Sequence, residues 1–140
     1  MRRQRALVVC PGRGTYNREE LGTLVRLHGG KTGLIAMADR YRRAQGQATL
    51  TELDGAAAFD AKVHTRGDNA SPLIWACAYG DMLDIDCERF DIVAVTGNSM
   101  GWYIALTAAA AVTPAAGLAI VNTMGTLMQE HLIGGQTLYP

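Results

Sequence analysis

The sequence predicts an α/β fold in which a parallel sheet is flanked by helices. Two short apolar runs, residues 6–10 and 91–96, have the continuous hydrophobic pattern of buried parallel strands. Each run leads into a glycine-containing loop and then into a segment of helical pattern, which is the order typical of parallel sheets. A chain of 140 residues is long enough to bury one core.

The segments between and after these strands are predicted as helices. A helix over residues 19–28 has four apolar positions on one face and ends at a Gly-Gly pair. Residues 35–43 are also expected to be helical, whereas residues 50–59 predict no element. Residues 69–82 are expected to form a buried helix with Pro72 in its first turn.

The last part of the chain is rich in helix formers. Residues 102–112, which contain many Ala and Leu, predict a buried helix. Thr113 and Pro114 end it and begin another helix that runs to about residue 131. Residues 134–140 are expected to begin a new extended segment.

Composition excludes several classes of protein. The 13 basic and 13 acidic residues balance, which gives no electrostatic signature for nucleic acid or anionic membrane. The apolar run after the basic N-terminus is too short for a signal peptide or a membrane span, so a cytoplasmic protein is expected. Cys10, Cys77 and Cys87 fit neither a disulfide framework nor a metal site and are expected to be reduced, buried thiols.

A serine motif lies between the second strand and the Ala-rich helix. Gly97-x-Ser99-x-Gly101 is the pattern of a nucleophile elbow, a sharp turn whose serine needs small neighbours on both sides. The N–H groups of the following helix point at the site, and that of Met100 is the expected first oxyanion donor. The alternative is a tight turn whose serine only caps the helix.

Two further blocks extend this motif into a family resemblance. The loop after the first strand reads P-G-R-G-T-Y (residues 11–16), the elbow reads G-N-S-M-G-W-Y-I-A-L (97–106), and residues 121–130 read V-N-T-M-G-T-L-M-Q-E. Together they resemble the P-G-Q-G-S/T-Q, G-H-S-L/M-G-E-Y/W-x-A-L and V-x-x-R-G-x-x-M-Q-E blocks of the malonyl-CoA:acyl-carrier-protein transacylase family. That family includes the acyltransferase domains of fatty-acid and polyketide synthases.

The resemblance implies an acyltransferase that moves an acyl group from coenzyme A to acyl carrier protein through a serine ester. Ser99 would be the nucleophile, the backbone N–H groups of Met100 and Tyr16 would form the oxyanion hole, and Asn98 and Met124 would lie in the acyl pocket. Neither a metal nor another cofactor is implied.

Several positions depart from the family pattern. Tyr16 replaces a Gln, Asn98 replaces a His, and Trp102 replaces a Glu. Met124 stands where the family has the Arg that pairs with the malonyl carboxylate. Because a buried carboxylate without a cationic partner is costly, the acyl group is expected to be uncharged, or else to meet a cation from another position.

The family's general base is a histidine far downstream, and none of this chain's histidines occupies its position. His28, His64 and His131 are expected to be ordinary surface residues, the first and last near helix C-termini. Residues 1–133 resemble the N-terminal part of the family's large α/β subdomain, and residues 134–140 the start of its small inserted subdomain. The C-terminal half, as a second chain or a lost remainder, is therefore the expected partner and the source of the base.

Two other functions use the same residues. A serine thioesterase or other hydrolase would have the same elbow and release acid to water. A non-catalytic half that scaffolds a partner chain would keep the fold with Ser99 unreactive.

Overall fold

The computed structural model describes residues 2–131, and these form an α/β fold with a parallel sheet, as predicted. The described residues contain two strands and seven α-helices. In chain order they are β1 (Gln4–Cys10), α1 (Thr23–His28), α2 (Thr32–Ala44), α3 (Leu50–Asp54), α4 (Ala61–His64), α5 (Gly67–Leu83), β2 (Phe90–Gly97), α6 (Gly101–Ala108) and α7 (Pro114–His131). The extended segment predicted over 134–140, and with it the boundary between the two predicted subdomains, lies outside the described residues.

The two strands are paired in parallel from end to end. Gln4 lies opposite Phe90 and Cys10 opposite Gly97, with one irregularity between Ala6 and Leu7. Because the register brings both strands to their carboxyl ends together, the loops that follow β1 and β2 leave the sheet side by side. Ligand sites of open α/β folds lie at this end of the strands.

Only one face of the sheet is covered by the described residues. Val8 and Val95 pack against the core and Cys10 is buried within it, whereas Leu7 is 57% exposed and Val9 is 67% exposed. The prediction of fully buried strands is thus wrong for the second face, because alternate side chains of a strand point to opposite sides.

Helix α5 lies at the centre of the core and contacts most of the other helices. Its Trp75 is fully buried and donates a hydrogen bond from Nε1 to Thr107 Oγ1 at 3.1 Å. Pro72 lies in the second turn of α5, whereas the sequence predicted it in the first turn. Since proline has no N–H, the Asp68 carbonyl four residues earlier loses its helical partner. The buried Arg42 guanidinium donates to that carbonyl instead.

The helix predictions were wrong at two boundaries. A turn of 3-10 helix covers Arg18–Glu20, and α1 begins only after Gly22, which has a φ of +85°. Of the four apolar residues expected to share a buried face, only Leu24 is buried; Leu21 is half-buried, and Val25 and Leu27 are exposed.

The second boundary error concerns α6. This helix ends at Ala108 rather than near residue 112, because Ala110 adopts a left-handed conformation with a φ of +55°. Trp102 is 60% exposed, so the helix is only partly buried. Helix α3 was not predicted, although Thr49 and Glu52 form a capping box at its start.

The three cysteines are free thiols. Cys10 is buried and Cys77 is half-buried, and desolvation raises the pKa of Cys77 to about 12. The prediction of a buried thiol is wrong for Cys87. This residue is exposed because it lies in the turn between α5 and β2 rather than in a helix or strand.

The helices of residues 2–131 include none with the length and apolar character that crossing a membrane requires.

Helices α5 and α7 cross at a contact between two glycines. A Cβ atom at Gly125 would collide with the backbone oxygen of Gly67 and lie 2.8 Å from Ser71 Oγ. The glycine of the third sequence block is therefore required by close packing of two helix backbones.

This contact predicts a large effect of one added methyl group. Gly125→Ala should lower the free energy of unfolding by about 2 kcal/mol, because the helices must separate. Gly33→Ala in α2, where a Cβ would meet nothing within 4 Å, should raise it by about 0.5–1 kcal/mol. Urea denaturation measures both, and equal effects of the two substitutions would contradict the packing argument.

Candidate active site

Ser99 occupies the sharp turn between β2 and α6 in a strained backbone conformation. Its φ is +54°, in the left-handed region that non-glycine residues rarely adopt. Such strain is concentrated at functional sites, and a serine in this conformation directly after a parallel strand has the geometry of a nucleophile elbow. Its side chain is exposed.

The two flanking glycines are required by backbone contacts. A Cβ atom at Gly97 would collide with the backbone of Gly101, and a Cβ atom at Gly101 would collide with the carbonyl oxygen of Cys10. The start of α6 therefore packs directly on the ends of both strands. This arrangement accounts for the spacing of the G-x-S-x-G motif.

The structure does not support the capping alternative. The N-cap of α6 is Met100, with no side-chain cap hydrogen bond. Within residues 2–131, the Ser99 hydroxyl forms no hydrogen bond. The hydroxyl is therefore available to a ligand or to a residue that lies outside this part of the chain.

The loop after β1 lies against the elbow, so the first two sequence blocks are brought together. A Cβ atom at Gly12 would lie 3.1 Å from the Asn98 carbonyl oxygen and 3.7 Å from Ser99 Cβ. Thr15 Oγ1 donates a hydrogen bond to the Gly12 carbonyl at 3.0 Å. Gly12 is thus the part of the loop that touches the serine turn, a role that sequence analysis did not assign to it.

Tyr16 anchors this loop to the core. Its ring is buried, and its hydroxyl donates a 2.6 Å hydrogen bond to Asp54 Oδ1. Burial, reinforced by the Asp54 carboxylate, raises the pKa of this hydroxyl. Asp54 also accepts hydrogen bonds from the N–H groups of Leu24 and Val25 at the start of α1. The Tyr16 side chain therefore anchors the loop. The oxyanion role predicted for Tyr16 concerns only its backbone N–H.

The remaining predicted site residues lie on two elements. Asn98 is exposed on the serine turn and Met100 is buried beneath it. Met124 is half-buried on α7, immediately before the glycine that contacts Gly67.

Two of the three histidines have structural roles. His28 is buried and its Nε2 lies 3.0 Å from Asp81 Oδ1, and His64 is buried with Nε2 2.9 Å from the Leu53 carbonyl. The prediction of surface histidines is wrong for both, because neighbouring elements leave room for the rings. His131 is exposed at the end of α7.

An apolar groove of about 380 Å³ lies beside β1. It runs between the strand and α5, and its lining includes Val8, Val9, Pro11, Ile74 and Cys77. Ser99 is not among the lining residues, but the groove reaches Pro11, Thr15 and Tyr16 of the loop that touches the serine turn. In residues 2–131, no group of three or more His, Cys, Asp or Glu side chains is placed to hold a metal ion.

The strain at Ser99 predicts an unusual effect of glycine. Ser99→Gly should be about 1 kcal/mol more stable to thermal unfolding than Ser99→Ala, because only glycine adopts the left-handed conformation without a Cβ penalty. Ala110→Gly, at the other left-handed position, should stabilise by a similar amount and serves as a control remote from the elbow. A Ser99→Gly variant no more stable than Ser99→Ala would show that the turn is unstrained.

Comparison with known proteins supports the fold. No family model matches the sequence, and neither does any curated protein. The chain is similar to the crystal structure of MCAT from Mycobacterium tuberculosis, with a TM-score of 0.71, and to that of the malonyl-CoA:ACP transacylase of Synechocystis sp. PCC 6803, with a TM-score of 0.65. Both are 22% identical over 91% of this chain, which covers 41% and 40% of their respective lengths. The described residues therefore have the fold of about two fifths of a malonyl-CoA:ACP transacylase.

Proposed function

We propose that this chain carries the nucleophile of an acyltransferase that moves an acyl group from coenzyme A to acyl carrier protein. The observation that carries the proposal is the placement of Ser99, in a strained turn after β2 with Gly12 of the β1 loop directly against it. The fold shared with malonyl-CoA:ACP transacylases supports the same reaction class.

The proposed chemistry takes place in two steps at Ser99 Oγ. The oxygen attacks the thioester carbonyl, its proton passes to a base, the new C–O bond forms, and the C–S bond breaks to release coenzyme A as its thiol. The phosphopantetheine thiol of the carrier then attacks the serine ester while its proton passes to the base. A new C–S bond forms, the C–O bond to Ser99 Oγ breaks, and the base returns a proton to Ser99 Oγ. The N–H groups of Met100 and Tyr16 are the proposed donors to the oxyanion of both steps.

The base is proposed to come from the C-terminal half of the same fold, on a further segment or a second chain. Neither buried histidine is available, because each ring is buried and hydrogen-bonded within the described residues, His28 to Asp81 and His64 to the Leu53 carbonyl. The exposed Leu7 and Val9 side chains and the groove beside β1 give such a half an apolar surface to cover. A base within hydrogen-bonding reach of Ser99 would complete the site.

A serine thioesterase uses the same elbow and differs only in the acceptor of the acyl group. The similar structures are of transacylases, which favours a thiol acceptor over water. A purely scaffolding role would leave the strain at Ser99 without a function.

The first test is covalent labelling of the complete protein with acyl-CoA. We expect one acyl group on Ser99, no label in Ser99→Ala, and transfer of the label to the thiol of an acyl carrier protein. Loss of a nucleophile costs several orders of magnitude in rate. Intact-mass and peptide mass spectrometry measure the label.

The exposed Cys87 thiol requires a control, because it can exchange directly with a thioester. Labelling is therefore done in a Cys87→Ala background, which should label as fully as the parent. Acylation at a residue other than Ser99 would contradict the proposal, whereas rapid release to water with no transfer to the carrier would favour the thioesterase.

The second test concerns the proposed C-terminal half. We expect the isolated 140-residue chain to associate and to be inactive, because Val9 exposes apolar surface that a complete fold covers. Val9→Asp should reduce the association, and Leu27→Asp on the exposed side of α1 should not. Light scattering and the acylation assay measure both properties, and a stable, active monomer would refute this expectation.

A further inference from the structure

Arg13 is the exposed cation of the loop that touches the serine turn. It directly follows Gly12, whose Cβ position lies 3.7 Å from Ser99 Cβ. Its guanidinium extends to the crossing of α5 and α7, where Nη1 lies 2.8 Å from the Cβ position of Gly67 and the Gly125 carbonyl oxygen lies 2.6 Å from the same point. Arg13 thus spans the space between the elbow and the residue after Met124.

The charge of Arg13 has no protein partner in residues 2–131, where the side chain forms no hydrogen bond or ion pair. The neighbouring Arg66 is different. Its guanidinium donates to both carboxylate oxygens of Asp68, at 3.0 and 2.9 Å. At this crossing, Arg66 is neutralised by its own partner and Arg13 is available to an anion.

Two sequence differences coincide at this place. The chain has Arg13 where the first block has Gln, and Met124 where the third block has Arg. The structure brings the Arg13 guanidinium next to Gly67, which packs against Gly125, the residue after Met124. The Arg13 guanidinium of the β1 loop therefore reaches the α5–α7 crossing, next to the position at which the family has a positive charge on α7.

We propose that Arg13 is the specificity residue of the site and selects acyl groups that carry a carboxylate, of the malonyl type. This inference rests on the proposed acyltransferase function and chooses between the two acyl classes that Met124 leaves open. A guanidinium binds a carboxylate through two parallel hydrogen bonds, which gives direction as well as strength. An acetyl group offers no partner for this cation.

The test compares rates of Ser99 acylation by malonyl-CoA and acetyl-CoA in the complete protein. The parent should prefer malonyl, and Arg13→Gln should reduce that preference by about 10- to 100-fold, the effect of losing one charged hydrogen-bonded partner. Arg66→Gln is the matched control and should keep the preference. Met124→Arg in the Arg13→Gln background should restore it. Arg13 is exposed, so all variants are expected to fold, and their melting temperatures confirm it.

Coenzyme A also carries phosphates that could bind a guanidinium. The same comparison is therefore made with malonyl and acetyl thioesters of N-acetylcysteamine, which have no phosphate. A malonyl preference that persists with these thioesters and is lost in Arg13→Gln supports the inference. An equal loss of rate for both acyl groups, seen only with the coenzyme A thioesters, overturns it in favour of phosphate binding.

The remaining outcomes separate this inference from the proposed function. Ser99 acylation with a malonyl preference unchanged by Arg13→Gln overturns only the role of Arg13. The absence of acylation by every thioester contradicts the proposed function itself.

Discussion

The serine turn depends on a backbone contact between the start of α6 and the ends of both strands. Gly101 lies against the Cys10 carbonyl oxygen and Gly97 lies against Gly101, so α6 begins as close to the sheet as a main chain allows. The intervening residues must reverse direction within this distance, which forces Ser99 into a left-handed conformation. A side chain at either glycine would move the helix away and relax the turn.

The loop opposite the turn is held by a separate set of buried polar contacts. The Tyr16 hydroxyl, Asp54 and the first N–H groups of α1 satisfy one another, which fixes the end of the loop while Gly12 remains against Ser99. Elsewhere in the core, Arg42 donates a hydrogen bond to the Asp68 carbonyl, which has lost its helical partner because Pro72 has no N–H. Buried side-chain nitrogen and oxygen atoms have hydrogen-bond partners throughout the described residues, so both loops at the carboxyl end of the sheet rest on a core whose polar side chains are satisfied.

The sequence predicted the strands, the elbow and α7 because each has a strong local signal. Apolar runs define β1 and β2, glycine spacing defines the turn, and Pro114 starts α7. It did not predict that Val25 and Leu27 would be exposed, since Gly22 delays α1 and rotates its apolar face. It also did not identify Arg13, because the reach of its guanidinium to Gly67 and Gly125 depends on a crossing of α5 and α7 that no local pattern encodes. His28 was misread for the same reason: Gly80 makes room for its ring from a distant part of the chain.

The proposed function requires that the elbow and the β1 loop form one acyl-binding site around Ser99. A crystal structure of the chain together with the proposed C-terminal half, flash-cooled after exposure to acyl-CoA without a carrier, would show this site. We expect continuous density from Ser99 Oγ to an acyl carbonyl whose oxygen faces the Met100 N–H and an N–H of the 11–16 loop. An acyl carbonyl that points to solvent, or a Ser99 hydroxyl that remains unmodified beside bound acyl-CoA, would contradict it.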